Sequence, residues 1–233
     1  MRIAGLQKLT LLDFPDKTAA TVFTAGCNLR CPFCHNGQLA TATLQDDLEY
    51  LGEEEFFAFL ESRKGLLDGV CITGGEPLLQ SGIEEFCQQV KARGFSLKLD
   101  TNGFFPERLE ALIAAHLIDY VAVDIKNCPS RYAETAGVAS LDITAVQKTI
   151  NLLMQNVVDY EFRTTVVREF HSGDDLVALA QWIREAKAWY LQSFVDSNEV
   201  LAGQGNLHPW SKDQLDDLVL KLRLSVSSTQ LRG

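Results

Sequence analysis

The chain has 233 residues, 46% of them hydrophobic, and a formal net charge of −10. That length and apolar content suit one domain, residues 1–233, with a sizeable core. The acidic balance argues against nucleic acid as a main partner, because phosphate backbones call for dense Lys and Arg. Met1 is followed by RIAGLQKLTLLDFPDK, which lacks the apolar stretch of a secretory leader, and no apolar run reaches the ~18 residues of a membrane span. A cytoplasmic protein with no membrane partner is therefore expected.

AATVFTA (19–25) is rich in β-formers and reads as a strand. GEEEFFAFLESRK (52–64) begins acidic and carries an apolar stripe at Phe56, Phe57 and Leu60, the pattern of a helix. GVCITGG (69–75) is a short apolar run closed by glycines, hence a strand, and GIEEFCQQVKARG (82–94) is an amphipathic helix stopped by Gly94. FSLKLDTNG (95–103) alternates as a strand into a turn. PERLEALIAAHLI (106–118) is a helix with proline at its first position, and DYVAVDIK (119–126) is a strand. Helix 142–156, strand 159–167, helix 172–187, strand 188–194 and helix 211–224, with Ser211 as N-cap, complete the series. Six strands alternating with helices imply parallel βαβ units, in a doubly wound sheet or an incomplete barrel. In either architecture the chemistry sits at the C-terminal ends of the strands. TAGC, TGGEP, DTNG, DIK and the region of Arg163 all fall at or near such ends.

Three of the six cysteines, Cys27, Cys31 and Cys34, lie within eight positions. Cys71 and Cys87 stand singly and read as buried packing residues, while Cys128, after the charged DIK, lies nearer a candidate site but reads as a bystander. Six cysteines in a cytosolic chain are not a disulfide framework. Structural zinc wants four protein ligands. His35 directly follows Cys34 and is poorly placed to share its ion, which leaves Cys128 as a fourth ligand reached through space. A [4Fe–4S] cluster held by three thiolates instead leaves one iron open, the arrangement a reacting molecule needs.

The spacing Cys-x3-Cys-x-Phe33-Cys, followed by GGEP after the next strand, resembles the signature of the radical S-adenosylmethionine (SAM) superfamily. GLQKLTLLDFPDK, CPFCHN, TGGEPLLQ, LDTNGF and DYVAVDIK occur in that order along nearly the whole chain. Together they resemble the activating enzymes of glycyl-radical enzymes, most of all those of anaerobic ribonucleoside-triphosphate reductase and next that of pyruvate formate-lyase. The resemblance implies a partial (β/α)6 barrel, a [4Fe–4S] cluster on Cys27, Cys31 and Cys34, and SAM chelated to the open iron. It implies that SAM is split after one-electron reduction and that a Cα hydrogen is then taken from a glycine of a partner enzyme. A flavodoxin or ferredoxin would supply the electron.

The same resemblance implies a SAM pocket built from Phe33, Gly74, Gly75, Glu76, Asp100, Thr101, Asn102, Asp124, Lys126 and Arg163. Glu76 either faces the methionyl ammonium or holds its strand end in shape. Asp100 and Asp124 on neighbouring strand ends would repel unless compensated by the sulfonium, by Lys126 or by a monovalent cation. Asp124 and Lys126, two apart on a strand, share a face and also suit a plain ion pair. Arg163 suits a carboxylate partner as well as it suits SAM. One departure stands out: where pyruvate formate-lyase activating enzyme has a histidine after its sixth strand, this chain reads LQSFVDSN. His35 and Asn36 read as shaping the cysteine loop, His116 as a helix residue, and His171 and His208 have no assigned role. Two rivals remain: small-molecule radical chemistry of the 7-carboxy-7-deazaguanine synthase kind, and a metal-stabilised binding module with no catalysis.

Overall fold

A computed structural model describes residues 1–43 and 48–232. Its strands are β1 (Ile3–Thr10), β2 (Ala19–Thr24), β3 (Gly69–Gly74), β4 (Ser96–Thr101), β5 (Tyr120–Asp124), β6 (Asp159–Val166), β7 (Trp189–Ser193) and β8 (Thr229–Arg232). Its helices are α1 (Gly37–Thr41), α2 (Glu53–Glu61), α3 (Ile83–Ala92), α4 (Pro106–Ala114), α5 (Tyr132–Thr135), α6 (Thr144–Leu153), α7 (Gly173–Trp182) and α8 (Lys212–Leu222). The strand order follows the chain, β1 to β8. This is the α/β order of an incomplete (β/α) barrel, with the six expected strands as β2 to β7. The count of six omits β1 and β8. β1 is half exposed and lacks clean alternation, and β8 has only four residues.

The chain divides into two compact units. One comprises Met1–Asn28, Gln38–Thr101 and Glu107–Val121, and the other Leu29–Gly37, Asn102–Pro106 and Ala122–Gly233. In the first, β1 pairs antiparallel with β2, while β2–β3 and β3–β4 are parallel. The apolar stripe of α2 buries Phe56, Phe57 and Leu60, and α3 buries Ile83, Phe86, Cys87 and Val90. The Phe56 and Phe86 rings stack with centroids 5.2 Å apart, so these two helices share one aromatic seam. Burial in that seam pushes the Cys87 thiol up to about 12, which makes it an inert packing group.

In the second unit β6–β7 and β7–β8 are parallel, and the Ile125 N–H bonds the Arg163 carbonyl at 2.9 Å. Trp189 anchors the core, fully buried, with its indole N–H 3.1 Å from the Thr164 hydroxyl. Helices α7 and α8 begin with capping boxes, Ser172 with Asp175 and Ser211 with Gln214. Several helices stop short of the apolar pattern. His116, Asn156 and Glu185 take positive φ of 55°, 57° and 66° just past α4, α6 and α7, so His116 belongs to a turn and not to a helix.

The ends of β2 and β3 meet main chain to main chain. β2 and β3 are in register from Ala19–Gly69 to Thr24–Gly74. Beyond that, Gly75 N–H bonds Thr24 O and Glu76 N–H bonds Gly26 O, each at 2.8 Å. A Cβ on Gly75 would stand 2.1 Å from Gly26 O. Gly74 has φ +106°, and a Cβ there would stand 2.4 Å from Thr24 N. Gly75→Ala is therefore expected to destabilise the protein by at least the about 3 kcal/mol at the upper end of overpacking. Gly65→Ala, also at positive φ but with nothing within 4 Å, should cost only about 1 kcal/mol. Chemical denaturation of the metal-free protein measures both.

Candidate active site

In the first unit the site residues follow the ends of β2, β3 and β4. Cys27 comes directly after Gly26, and its N–H is held by Ala40 O at 3.1 Å. Glu76 is 1% exposed, and its Oε1 accepts from the Leu78 N–H at 3.0 Å and from the Thr101 hydroxyl at 2.7 Å. Glu76 thus ties the turn after β3 to the end of β4, which is the shape-holding role considered from sequence. Glycines 74 and 75 admit the protein's own backbone, whatever else they admit. Asp100 is buried and ion-paired with Lys98, itself 1% exposed. Lys98 Nζ also lies 3.9 Å from Cys71 Sγ. Sequence reasoning passed over Lys98, although alternation in FSLKLDTNG places it on the face of Asp100.

In the second unit the cysteine loop is fixed by main-chain bonds. Arg30 N–H bonds Ala136 O at 2.9 Å, Cys34 N–H bonds Cys31 O at 3.0 Å, Leu201 N–H bonds Cys34 O at 3.0 Å, and Ala202 N–H bonds Pro32 O at 2.8 Å. None of the six cysteines is in a disulfide, with Cys31 buried and Cys34 half-buried. Phe33 is buried, its ring 5.9 Å from Phe170 and 6.2 Å from His171. His35 is exposed and sets its ring edge-on to Phe194 at 5.6 Å. Asn102 lies in the turn after β4 and accepts from the Phe104 N–H at 3.1 Å.

Asp124 lies between two cations of its own unit. Arg163 Nε reaches Oδ1 at 3.0 Å, and Lys126 Nζ lies 3.4 Å from Oδ2. Burial by itself would raise the Asp124 carboxyl; Arg163 and Lys126 outweigh it and pull the pKa down to about 2. Burial likewise opposes the Lys126 charge, but Asp124, Cys31, Tyr132 and Cys34 outweigh it and raise its pKa. Burial pushes the Cys34 thiol up, and Lys126 and the Asn36 N–H only partly offset this. Lys126 therefore remains cationic, beside Asp124 and within electrostatic reach of the two thiols. The repulsion foreseen between Asp100 and Asp124 is answered locally, since each carboxylate has its own lysine.

His171, unassigned from sequence, is 1% exposed and spans two main-chain groups. Its Nδ1 lies 3.1 Å from the Val167 N–H and its Nε2 lies 2.8 Å from Lys126 O. With Nδ1 accepting and Nε2–H donating, the ring is neutral, and burial lowers its pKa in keeping with that. It links the end of β6 to Lys126 while packing on Phe33. His208 is exposed and pairs with Glu169 at 2.7 Å. Cys128 is buried beside Ser130 Oγ at 3.4 Å. Among the described residues, no group of three or more His, Cys, Asp or Glu side chains is gathered to hold a metal ion. Thiolates of a [4Fe–4S] cube each bind a different iron, so they do not converge as the ligands of one ion do.

A family model of the radical SAM superfamily matches residues 21–183. The chain is 34% identical over 199 residues to the "Putative glycyl-radical enzyme activating enzyme" of Methanocaldococcus jannaschii, covering 82% of this chain and 79% of that relative. It is 31% identical over 130 residues to the 7-carboxy-7-deazaguanine synthase of Methanopyrus kandleri, covering 48% of this chain and 51% of that protein. The structure of Streptococcus suis SuiB bound to S-adenosylmethionine has a TM-score of 0.70 at 15% identity, over 90% of this chain and 49% of that one, a likeness of fold alone. The matched span holds the cysteine loop, the Gly-Gly-Glu turn and the Asp124–Lys126–Arg163 group, and the chain belongs to the radical SAM superfamily.

Proposed function

We propose that this protein uses SAM to remove a Cα hydrogen from a glycine of a partner enzyme, anaerobic ribonucleoside-triphosphate reductase. The observation that carries the radical SAM part is the cysteine loop pinned by its main chain, with the Lys126 ammonium within electrostatic reach of Cys31 and Cys34. Thiolates bound to iron are anionic, and a retained ammonium beside them offsets that charge. The donor set fits a cluster: three thiols on one loop, none in a disulfide, with protons that metal binding can displace. When bound, a [4Fe–4S] cluster supplies the electron for reductive cleavage of SAM. The choice of glycine as target rests on the relative matched over most of both chains.

On this reading Cys27, Cys31 and Cys34 hold the cluster. Glu76 and Thr101 fix the turn that carries Gly74 and Gly75 along the methionyl end of SAM. Phe33, its ring buried, offers adenine the main-chain groups of its loop. Asp124, Lys126, Asp100 and Asn102 present polar groups to the ribose and methionyl portions. Arg163 acts through Asp124 by fixing its carboxylate. The monovalent cation implied by resemblance has a place at Asp124 only where Lys126 or Arg163 yields an oxygen. A flavodoxin or ferredoxin delivers the electron. Six cysteines without a disulfide suit a reducing, cytoplasmic setting, and among the described residues no helix is long and apolar enough to cross a membrane.

The hydrogen must pass directly from glycine to the 5′ carbon of SAM's adenosyl group, with the reacting atoms about 3–3.5 Å apart. The products are 5′-deoxyadenosine, methionine and a glycyl radical, and the partner must offer its glycine on a loop that can leave its own fold.

Replacing Cys27, Cys31 or Cys34 by Ala should remove iron, sulfide and SAM cleavage from the anaerobic protein, whereas Cys71→Ala and Cys87→Ala should keep all three. Full activity with zinc as the only metal would defeat the reading. Asp124→Ala should weaken SAM binding by about tenfold, roughly 1.4 kcal/mol, with iron content unchanged, as measured by equilibrium binding. A peptide copying the partner's glycine loop, deuterated at Cα, should pass its label to 5′-deoxyadenosine. Label arriving only from a small molecule would instead assign chemistry of the 7-carboxy-7-deazaguanine synthase class.

A further inference from the structure

In the first unit, Lys98 is a buried charge with no part in the reading above. It lies on β4 two residues before Asp100, so the alternation of the strand carries both side chains on one face. Leu97 and Leu99, on the other face, are fully buried. The Lys98 side chain is 1% exposed and that of Asp100 11%. The Lys98 ammonium is ion-paired with Asp100 Oδ1 and lies 3.9 Å from the sulfur of Cys71, its counterpart in the β3–β4 register.

Lysines are almost never buried this deeply unless their charge is met. Here it is met by a carboxylate that the SAM reading also uses. The resemblance implies a monovalent cation among the charges that compensate the strand-end carboxylates. At Asp100 the structure already supplies one positive charge, from Lys98. A free ion arriving there would be repelled by the ammonium and would have to shed its hydration shell. The ammonium needs no capture, because it is covalently held on the strand that carries the carboxylate.

We propose that the Lys98 ammonium takes the place of a monovalent cation at Asp100, so that SAM binding by this protein needs no added potassium or sodium. Lys98 is then a positioning residue: it offsets the charge of the Asp100 carboxylate and fixes its orientation without touching SAM. The inference rests on the SAM reading given above. Removing the ammonium would leave Asp100 as a buried charge without that partner, and a small cation entering the vacated space could then offset it.

SAM affinity of the anaerobically reconstituted protein is measured at constant ionic strength in potassium, sodium and choline chloride, for wild type, Lys98→Ala and Lys98→Met. Wild type should bind SAM equally in all three salts. K98A should bind about tenfold more weakly in choline, and potassium or methylammonium should restore most of that loss. K98M, which keeps the volume but not the charge, should show the loss without the rescue. In the cluster-free proteins, potassium in place of choline should raise the denaturation midpoint of K98A and leave that of wild type unmoved. Wild-type affinity that falls about tenfold in choline overturns the proposal, because an ion is then needed beside Lys98. K98A that binds SAM as wild type does in choline, or whose loss no cation repairs, also overturns it, since Lys98 would then be inert or a space-filler. Should K98A fail to fold, wild type and K98M decide, and equal affinity of the two in choline overturns the proposal. Wild type that binds no SAM in any salt would instead overturn the SAM reading, an outcome distinct from binding that depends on a cation.

Discussion

The closest constraint in the first unit is the main-chain contact between the ends of β2 and β3. Gly26 O lies where a Cβ of Gly75 would stand, and the same oxygen accepts the Glu76 N–H. The next residue after Gly26 is Cys27. The path of the first cysteine, the Gly-Gly-Glu turn and the burial of Glu76 are therefore one arrangement. The buried Glu76 carboxylate ties the Leu78 N–H and the Thr101 hydroxyl together, which extends the constraint to the end of β4. A side chain at Gly75 would disturb all three strand ends, although it touches none of the proposed ligands.

Charge is managed by the same local economy. Buried carboxylates are tolerated when paired and hydrogen-bonded, and costly when one partner is removed. Asp100 has Lys98, Glu161 has Arg232 at 3.0 Å, and Asp124 has both Arg163 and Lys126. Asp124 thus faces two cations. Of these, Lys126 also feels the charge of Cys31 and Cys34.

Much of this was legible in the sequence. Strands β2 to β7 follow from alternation and apolar runs, and Asp124 with Lys126 shares a face by the period of a strand. The cysteine spacing is local in the chain and needs no structure to be seen. What could not be read depends on contacts between distant segments. His171 joins Lys126 O to the end of β6, and nothing in EFHSGDD distinguishes it from a surface histidine. Tyr132 sits in CPSRYAETAG, where a tyrosine is unremarkable until its ring proves buried between Phe104 and Trp182. β1 was hidden because a half-exposed strand carries neither alternation nor an apolar run.

The cysteine loop shows why so little regular structure can still give a rigid site. Residues 30–34 lie outside any helix or strand, yet their backbone is bonded to Ala136, Leu201 and Ala202. Gly137, at φ +68°, leaves room for this, since a Cβ there would stand 2.0 Å from Arg30 O. Gly37 closes on Leu201 in the same way, with 3.1 Å to its Cα. Main-chain bonds consume N–H and C=O groups and leave the thiols unencumbered by the task of holding the loop. A loop held instead by its own side chains would have to choose between folding and ligation. Here the segment after β7 supplies the restraint, so the residues that follow Phe194 belong to the architecture of the cysteine loop as much as the cysteines do.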